Sequence, residues 1–487
     1  MTVFLGLDLG TSALKAVLVD ETDAVLAEAT APLTAQRPRP GWSEQDPNAW
    51  WTATLAAIDD LHARAPAALA VVSGIGLSGQ MHGAVLLGAS GETLRPAILW
   101  NDGRSAAECR ELEQAFPSLR EVTGNVAMPG FTAPKLLWVR HHEPDVFART
   151  RTVLLPKAFL RFHLTGELIE DMSDASGTLW LDVGRRDWSD DALAATGLDR
   201  AAMPRLAEGS ALAGRLRPEL ARRWGMAAAP VVAGGAGDNA ASAAGLGVVA
   251  PGSAFLSLGT SGVLFATTDR FRPNPARAVH AFCHALPGTW HQMAVMLAAA
   301  GSLQWWSDLC GVPAPALVDE VPPAPAAPSS ATFFPYISGE RTPHNDAAVR
   351  GAFLGLDPGA GRAALTQAVL EGVAFSFRDG LDALAEAGTT VDAALVTGGG
   401  TRSRAWLAIL ASVLGIPLSR PASGEHGAAL GAARLGRLAA TGEDPRIVCR
   451  PPAVAETVDP VPALAAAYSE RITRYRAAYG ALHAFSA

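Results

Sequence analysis

Leu9-Gly10-Thr11-Ser12, set between the apolar runs 4–7 and 14–19, returns as Leu258-Gly259-Thr260-Ser261 between the runs 255–258 and 263–266. Glycine, serine and threonine are common turn residues, so the matching tetrapeptide alone carries little. The matching strand patterns on both sides, about half the chain apart, point to a duplicated unit. Each copy reads as strand, tight turn, strand. In the first copy a third strand, 24–29, follows the polar turn 20–23 and completes an antiparallel meander. Residues 50–64 then read as a helix and 70–77 as a buried strand. This alternation gives an α/β fold of two duplicated domains, 1–247 and 248–487, divided where Gly and Pro cluster at 245–252.

A chain of 487 residues exceeds one ordinary core, which agrees with two domains. Hydrophobic content of 49% with 18% charged residues is a globular composition. A net charge of −8 without a dense basic cluster argues against a nucleic-acid partner. No apolar run approaches the ~18–20 residues that span a bilayer, and no secretory leader pattern opens the chain. A cytoplasmic protein with no membrane partner is the expectation. The cysteines at 109, 283, 310 and 449 fall in no CxxC spacing and read as structural thiols. Lysine occurs only at 15, 135 and 157 in an arginine-rich chain, which marks each of them for inspection. The Pro/Ala-rich stretch 322–328 reads as a surface connector, and 463–482 as a terminal packing helix.

Three glycine turns have the chemistry to meet a nucleotide. The first, running from Asp8 to Lys15, offers a carboxylate, the hydroxyls of Thr11 and Ser12, and Gly10 to turn backbone amides toward an anion. Asp8, ending a buried strand, is a candidate ligand for Mg²⁺, which prefers oxygen donors; an ordinary hairpin with a capping aspartate explains the same residues. The second turn, Gly259 to Gly262, repeats the hydroxyls through Thr260 and Ser261 without the acid. The third, Gly398-Gly399-Gly400-Thr401, follows an apolar strand and precedes a helix expected from Ser403. Neither GxxxxGK[ST] nor a strand-following GxGxxG is present, which counts against a P-loop or a dinucleotide-binding dehydrogenase.

Gly234-Gly235-Ala236-Gly237-Asp238-Asn239 places a carboxylate after a strand and a run of small residues, where a substrate can approach. In phosphoryl transfer such a group orients the attacking hydroxyl and accepts its proton; a turn-closing Asp-Asn pair is the plainer alternative. Gln80-Met81-His82-Gly83 follows a buried strand and combines hydrogen-bonding groups with an apolar surface suited to a sugar. Trp100-Asn101-Asp102-Gly103-Arg104 either lines the same pocket or closes a turn with an Asp–Arg pair. Trp42, Trp50, Trp51, Trp305 and Trp306 are as well suited to a core as to a sugar platform.

Together these segments resemble the carbohydrate kinases that include glycerol, gluconate and xylulose kinases. Trp42-Ser43-Glu44-Gln45-Asp46-Pro47, the segment 129–138, Asp171-Met172-Ser173-Asp174-Ala175 and Ser338-Gly339-Glu340-Arg341-Thr342-Pro343-His344 extend the likeness through most of the chain. The resemblance implies two actin/hexokinase-like (ribonuclease H-like) domains around a central cleft, holding ATP and Mg²⁺ on one side and a ketose on the other. It implies D-xylulose as acceptor, with Met81, His82, Asp238 and Asn239 at the sugar and Asp238 as the base. Asp8 would serve the metal–phosphate site. Thr11, Ser12, Lys15, Thr260, Ser261, Gln304, Gly399, Gly400 and Ser403 would surround ATP. Another ketose or polyol as acceptor, and an inactive sugar-binding regulator, are the rival readings. A homodimer is the oligomer to test for, since dimers are the commonest homo-oligomers.

Overall fold

The computed structural model describes residues 2–323, 325–422 and 427–486. Ala324, within the proposed connector, lies outside them. The meander forms as expected from β1 (Val3–Leu9), β2 (Ala13–Asp20) and β3 (Val25–Pro32), paired antiparallel. Helix α1 (Pro47–Arg64) starts where the Asp46 side chain accepts the Asn48 N–H and Pro47 takes the first turn, where a missing N–H costs nothing. Its Trp50, Ile58 and Leu61 are fully buried, so Trp50 is core. Strand β4 (Val72–Gly79) runs parallel to β1. Two helices, α2 (Thr132–His142) and α3 (Pro156–Thr165), carry the two remaining lysines. The sheet is completed by β5 (Leu212–Arg215), β6 (Val231–Ala233) and β7 (Ala236–Gly237), and α4 (Asp238–Leu246) leaves from β7.

The second half builds β8 (Ala254–Leu258), β9 (Gly262–Thr268), β10 (His280–Cys283), β11 (Trp290–Met296), β12 (Ala394–Thr397), β13 (Leu418–Pro421) and β14 (Val454–Val458). Its helices are α5 (Ala300–Cys310), α6 (Arg362–Glu386), α7 (Arg404–Leu414), α8 (Gly427–Thr441) and α9 (Pro462–Ser486). The first sheet runs β3-β2-β1-β4-β6-β5, with β7 also on β4; the second runs β11-β9-β8-β12-β13-β14, with β10 added beyond β11. Step by step the pairings agree: antiparallel, antiparallel, parallel, parallel, antiparallel. The repeated hairpin is therefore the visible part of a repeated sheet. The terminal helix α9 packs through Leu464, Tyr468, Ile472 and Tyr475 onto the core of the second half, the role expected for it.

Helix α8 follows the second sheet's β13 in sequence yet lies against β1 and β4 of the first. A Cβ at Gly6 would overlap the Ala429 carbonyl oxygen, and one at Gly76 that of Ala432. Arg434 of α8 donates to the carbonyls of Ala244 (2.9 Å) and Gly245 (3.1 Å) at the end of α4 and pairs with Asp23 at 2.9 Å. The helix is thus clamped between α4 and the first sheet. Because the obstructing atoms at Gly76 are backbone, Gly76→Ala is expected to destabilise the protein by at least ~1–3 kcal/mol, as overpacking does. A fall in the thermal midpoint checks this; an unchanged midpoint contradicts the packing described.

Candidate active site

Asp8 stands near the end of β1 and Asp238 opens α4. Register places Asp8 opposite Ser78, and Gly237 opposite Gly79, on the shared neighbour β4. The two carboxylates therefore come from strand ends on either side of β4. Burial, and next the charge of Asp8, push the Asp238 carboxyl up to about 6; the Asn239 amide and side chain, donating to Asp238 Oδ1 at 2.7 and 2.9 Å, oppose the rise. Burial likewise raises Asp8 against the pull of Ser78 and Lys15. Asp8 Oδ1 has no hydrogen-bond partner among the described residues. Two neighbouring carboxylates, one with an orphaned buried oxygen, form a donor set that fits a hard divalent cation. Lys15 reaches Glu28 at 3.7 Å across the hairpin.

A cavity of about 310 Å³ opens beside Asp238, lined by Met81, His82 and Asn239 from the first half and by Ser261, His280 and Arg341 from the second. His82 adopts φ of 68°, and its Nδ1 lies 2.7 Å from the Gly177 carbonyl oxygen. A carbonyl only accepts, so Nδ1 carries the proton and Nε2 is left as an acceptor. Burial lowers the His82 pKa to about 3, which keeps the ring neutral. Lys135, buried on α2, donates to the backbone carbonyls of His82 (2.8 Å) and Gly130 (2.7 Å), both cavity residues. Trp100 lines the cavity and donates to Thr11 Oγ1 at 3.0 Å. Asp102 and Arg104 instead form a buried pair at 2.7 Å that closes the turn. Phe131, His280 and Arg341 were not singled out from sequence. His280 sits inside a strand, and Arg341 in a motif whose spacing names no chemistry.

A second cavity of about 560 Å³ gathers Thr260, Gln304, Gly399, Gly400 and Ser403, residues dispersed over three segments. Ser403 caps α7 by accepting the Trp406 N–H at 3.1 Å. A 3₁₀ turn at Gly399–Arg402 intervenes between the glycines and that helix. Ser261, expected near the nucleotide, lines the smaller cavity, whereas Leu258, Gly259 and Thr260 line this one. Thr11, Ser12 and Lys15 line neither cavity. Thr11 is tied to the fold: its hydroxyl donates to Gln80 Oε1 at 2.9 Å, and its carbonyl accepts from Gln45 Nε2 at 2.7 Å.

The profile of the N-terminal domain of the FGGY family of carbohydrate kinases matches residues 3–245, and that of the C-terminal domain matches 254–440. The chain belongs to this family. It is 51% identical over 445 residues to a xylulose kinase of Escherichia coli, covering 91% of each chain. It is 36% identical to one of Bacillus subtilis, covering 89% of this chain and 88% of the other. Among solved structures, a "xyloylose kinase" from Brucella ovis superposes with a TM-score of 0.97 at 56% identity, over 99% of this chain and 100% of that one. A Plasmodium falciparum glycerol kinase shares the fold, with a TM-score of 0.87 at 18% identity, over 100% of this chain and 98% of that one.

Beneath the FGGY cleft, the third lysine organises the approach to Asp238. Buried Lys157 contacts Glu170 (2.7 Å), Asp171 (2.9 Å) and Asp174 (3.5 Å). These acids are close enough together to suggest a metal site, but the ammonium already supplies the cation between them. Ser173 Oγ donates to Asp171 Oδ2 at 2.6 Å and accepts the Gly237 N–H at 3.1 Å, and Arg161 holds the Gly234 carbonyl. The glycine run before Asp238 is thus fixed from below.

Lys135 fixes the cavity wall in the same manner. Lys135→Met is expected to raise KM for the sugar by roughly tenfold, leaving KM for ATP within about twofold, because misplaced walls weaken only the ligand they touch. Steady-state kinetics with each substrate varied checks this; equal changes in both constants contradict it.

Proposed function

We propose that the protein phosphorylates D-xylulose with ATP, yielding D-xylulose 5-phosphate and ADP. The observation that carries this reading is Asp238, held at elevated pKa beside Asp8 in a cavity walled by both halves of the chain. Xylulose kinases among the similar proteins support the choice of ketose. In this reading residues 1–247 form the sugar-binding domain and 248–487 the nucleotide-binding domain. The cavity containing Thr260, Gln304, Gly399, Gly400 and Ser403 takes ATP, and the first hairpin, with Thr11, Ser12 and Lys15, faces its phosphates. The proposed compartment is the cytoplasm, where ATP is supplied.

The sugar hydroxyl lies against Asp238, which orients it and accepts its proton as transfer proceeds. An ordinary aspartate, with a pKa near ~3.9, is a poor acceptor; one near 6 accepts more readily and is still mostly ionised at neutral pH. Asn239 holds the carboxylate in place, and neutral His82 offers Nε2 to a second hydroxyl while Met81 covers the carbon face. Asp8 would hold Mg²⁺, directly or through water; bound there, the ion neutralises phosphate charge. Closure of the two domains excludes water, so that the sugar receives the phosphoryl group. Both carboxylates are in place, on either side of β4, which disfavours the inactive-regulator reading.

An ADP-release assay over a panel of ketoses and polyols tests the substrate. D-xylulose is expected to lead in kcat/KM by at least ~10-fold, since buried polar contacts discriminate strongly; a different leader replaces it as the acceptor. Asp238→Asn should lower kcat by at least ~10²-fold with the fold intact. The raised carboxyl also sets a pH dependence. Protonation removes the base, so activity falls as pH drops. The sugar's kcat/KM should climb about tenfold per pH unit up to about pH 6 and level off above it. A profile flat from pH 5 to 8 would exclude Asp238 as the titrating base.

A further inference from the structure

Arg341 lines the smaller cavity, yet among the described residues its guanidinium makes no hydrogen bond and no ion pair. The neighbouring Glu340 acts on it through space but makes no ion pair with it among the described residues. That carboxyl accepts the backbone amides of Leu297 (2.9 Å) and Arg341 (2.8 Å), and burial pushes it up to about 8, leaving it neutral near pH 7. The adjacent imidazoles are held neutral as well, with His82 on Gly177 and His280 Nδ1 3.1 Å from Asn125 Oδ1. The ring of Phe131 packs edge-on against both, at 4.8 and 5.5 Å. A guanidinium presents five N–H donors in a planar fork, and an enclosed one without acceptors is costly. This unsatisfied cation is an invitation to ligand oxygens.

Arg341 shares the cavity with His82, His280 and Asp238. We infer that Arg341 anchors the end of the substrate remote from the hydroxyl being phosphorylated, and that the cavity also binds an open-chain five-carbon polyhydroxy carboxylate with its carboxylate on this guanidinium. The orientation rests on the proposed phosphorylation at Asp238. A ketose offers this end a carbonyl oxygen and a terminal hydroxyl. A carboxylate offers two oxygens in the plane of the fork together with the missing negative charge.

The experiment uses D-xylonate as the probe, with calorimetric binding and inhibition kinetics on the wild type, Arg341→Met, Arg341→Gln and Arg341→Lys. The wild type is expected to bind D-xylonate competitively against the sugar. Arg341→Met and Arg341→Gln should weaken that binding at least ~tenfold and raise the sugar KM by a similar factor with a smaller change in kcat; Arg341→Lys should recover part of the aldonate affinity but not the bidentate component. Absence of D-xylonate binding to the wild type overturns the inference and needs no variant that folds. So does unchanged binding in a folded Arg341→Met or Arg341→Gln. A fall in kcat with unchanged sugar KM overturns it too, placing Arg341 at the transferred phosphoryl group. Calorimetry needs no turnover, so aldonate binding in an enzyme that does not accept D-xylulose removes the proposed sugar and not the anchor.

Discussion

Two carboxylates held out of water at one end of a sheet are driven toward their neutral forms, and the rest of the site follows from that burial. Asp8 and Asp238 are brought together because β1 and β7 flank the same strand, β4. Burial raises both carboxyls, and the charge of Asp8 adds to the rise at Asp238. The same burial, with the charge of Asp8 behind it, gives Asp238 the raised pKa that the proposed base calls for. Asp8 thus acts twice, as a donor set for a cation and as the charge that lifts its neighbour.

The surrounding structure exists to hold this pair steady while the two halves of the molecule meet over it. From below, Lys157, Asp171, Ser173 and Arg161 fix the backbone that leads into Asp238. From the side, Lys135 holds the His82 and Gly130 carbonyls, so this wall of the cavity depends on a buried ammonium and not on packing alone. Across the molecule, α8 carries the second half back onto the first sheet at contacts too close for any side chain at Gly6 or Gly76. These are rigid attachments, and they leave the cleft itself as the place where closure can occur.

The repeated Leu-Gly-Thr-Ser hairpin made the duplication legible, because a tight turn between two short strands must be written in neighbouring residues. The meander, α1 and the terminal helix were readable for the same local reason. Met81, His82, Asp238 and Asn239 were readable through small residues and motif likeness, and the structure gathers them in one cavity. His280, Phe131 and Arg341 were not, since their roles arise from a meeting of distant strands and loops. Thr260 and Ser261, neighbours in sequence, line different cavities, which spacing alone does not reveal. The rarity of lysine was a usable signal that nothing local could interpret: Lys135 and Lys157 prove to be buried supports of the two walls around the site.

The most direct test of this account is a crystal structure of the enzyme with D-xylulose, Mg²⁺ and a non-hydrolysable ATP analogue bound together. The account predicts a sugar hydroxyl against the Asp238 carboxylate, the terminal phosphate between that hydroxyl and the first hairpin, and the adenosine beside Gly399, Gly400 and Ser403. A sugar bound away from Asp238, or a nucleotide whose phosphates point out of the cleft, would contradict it.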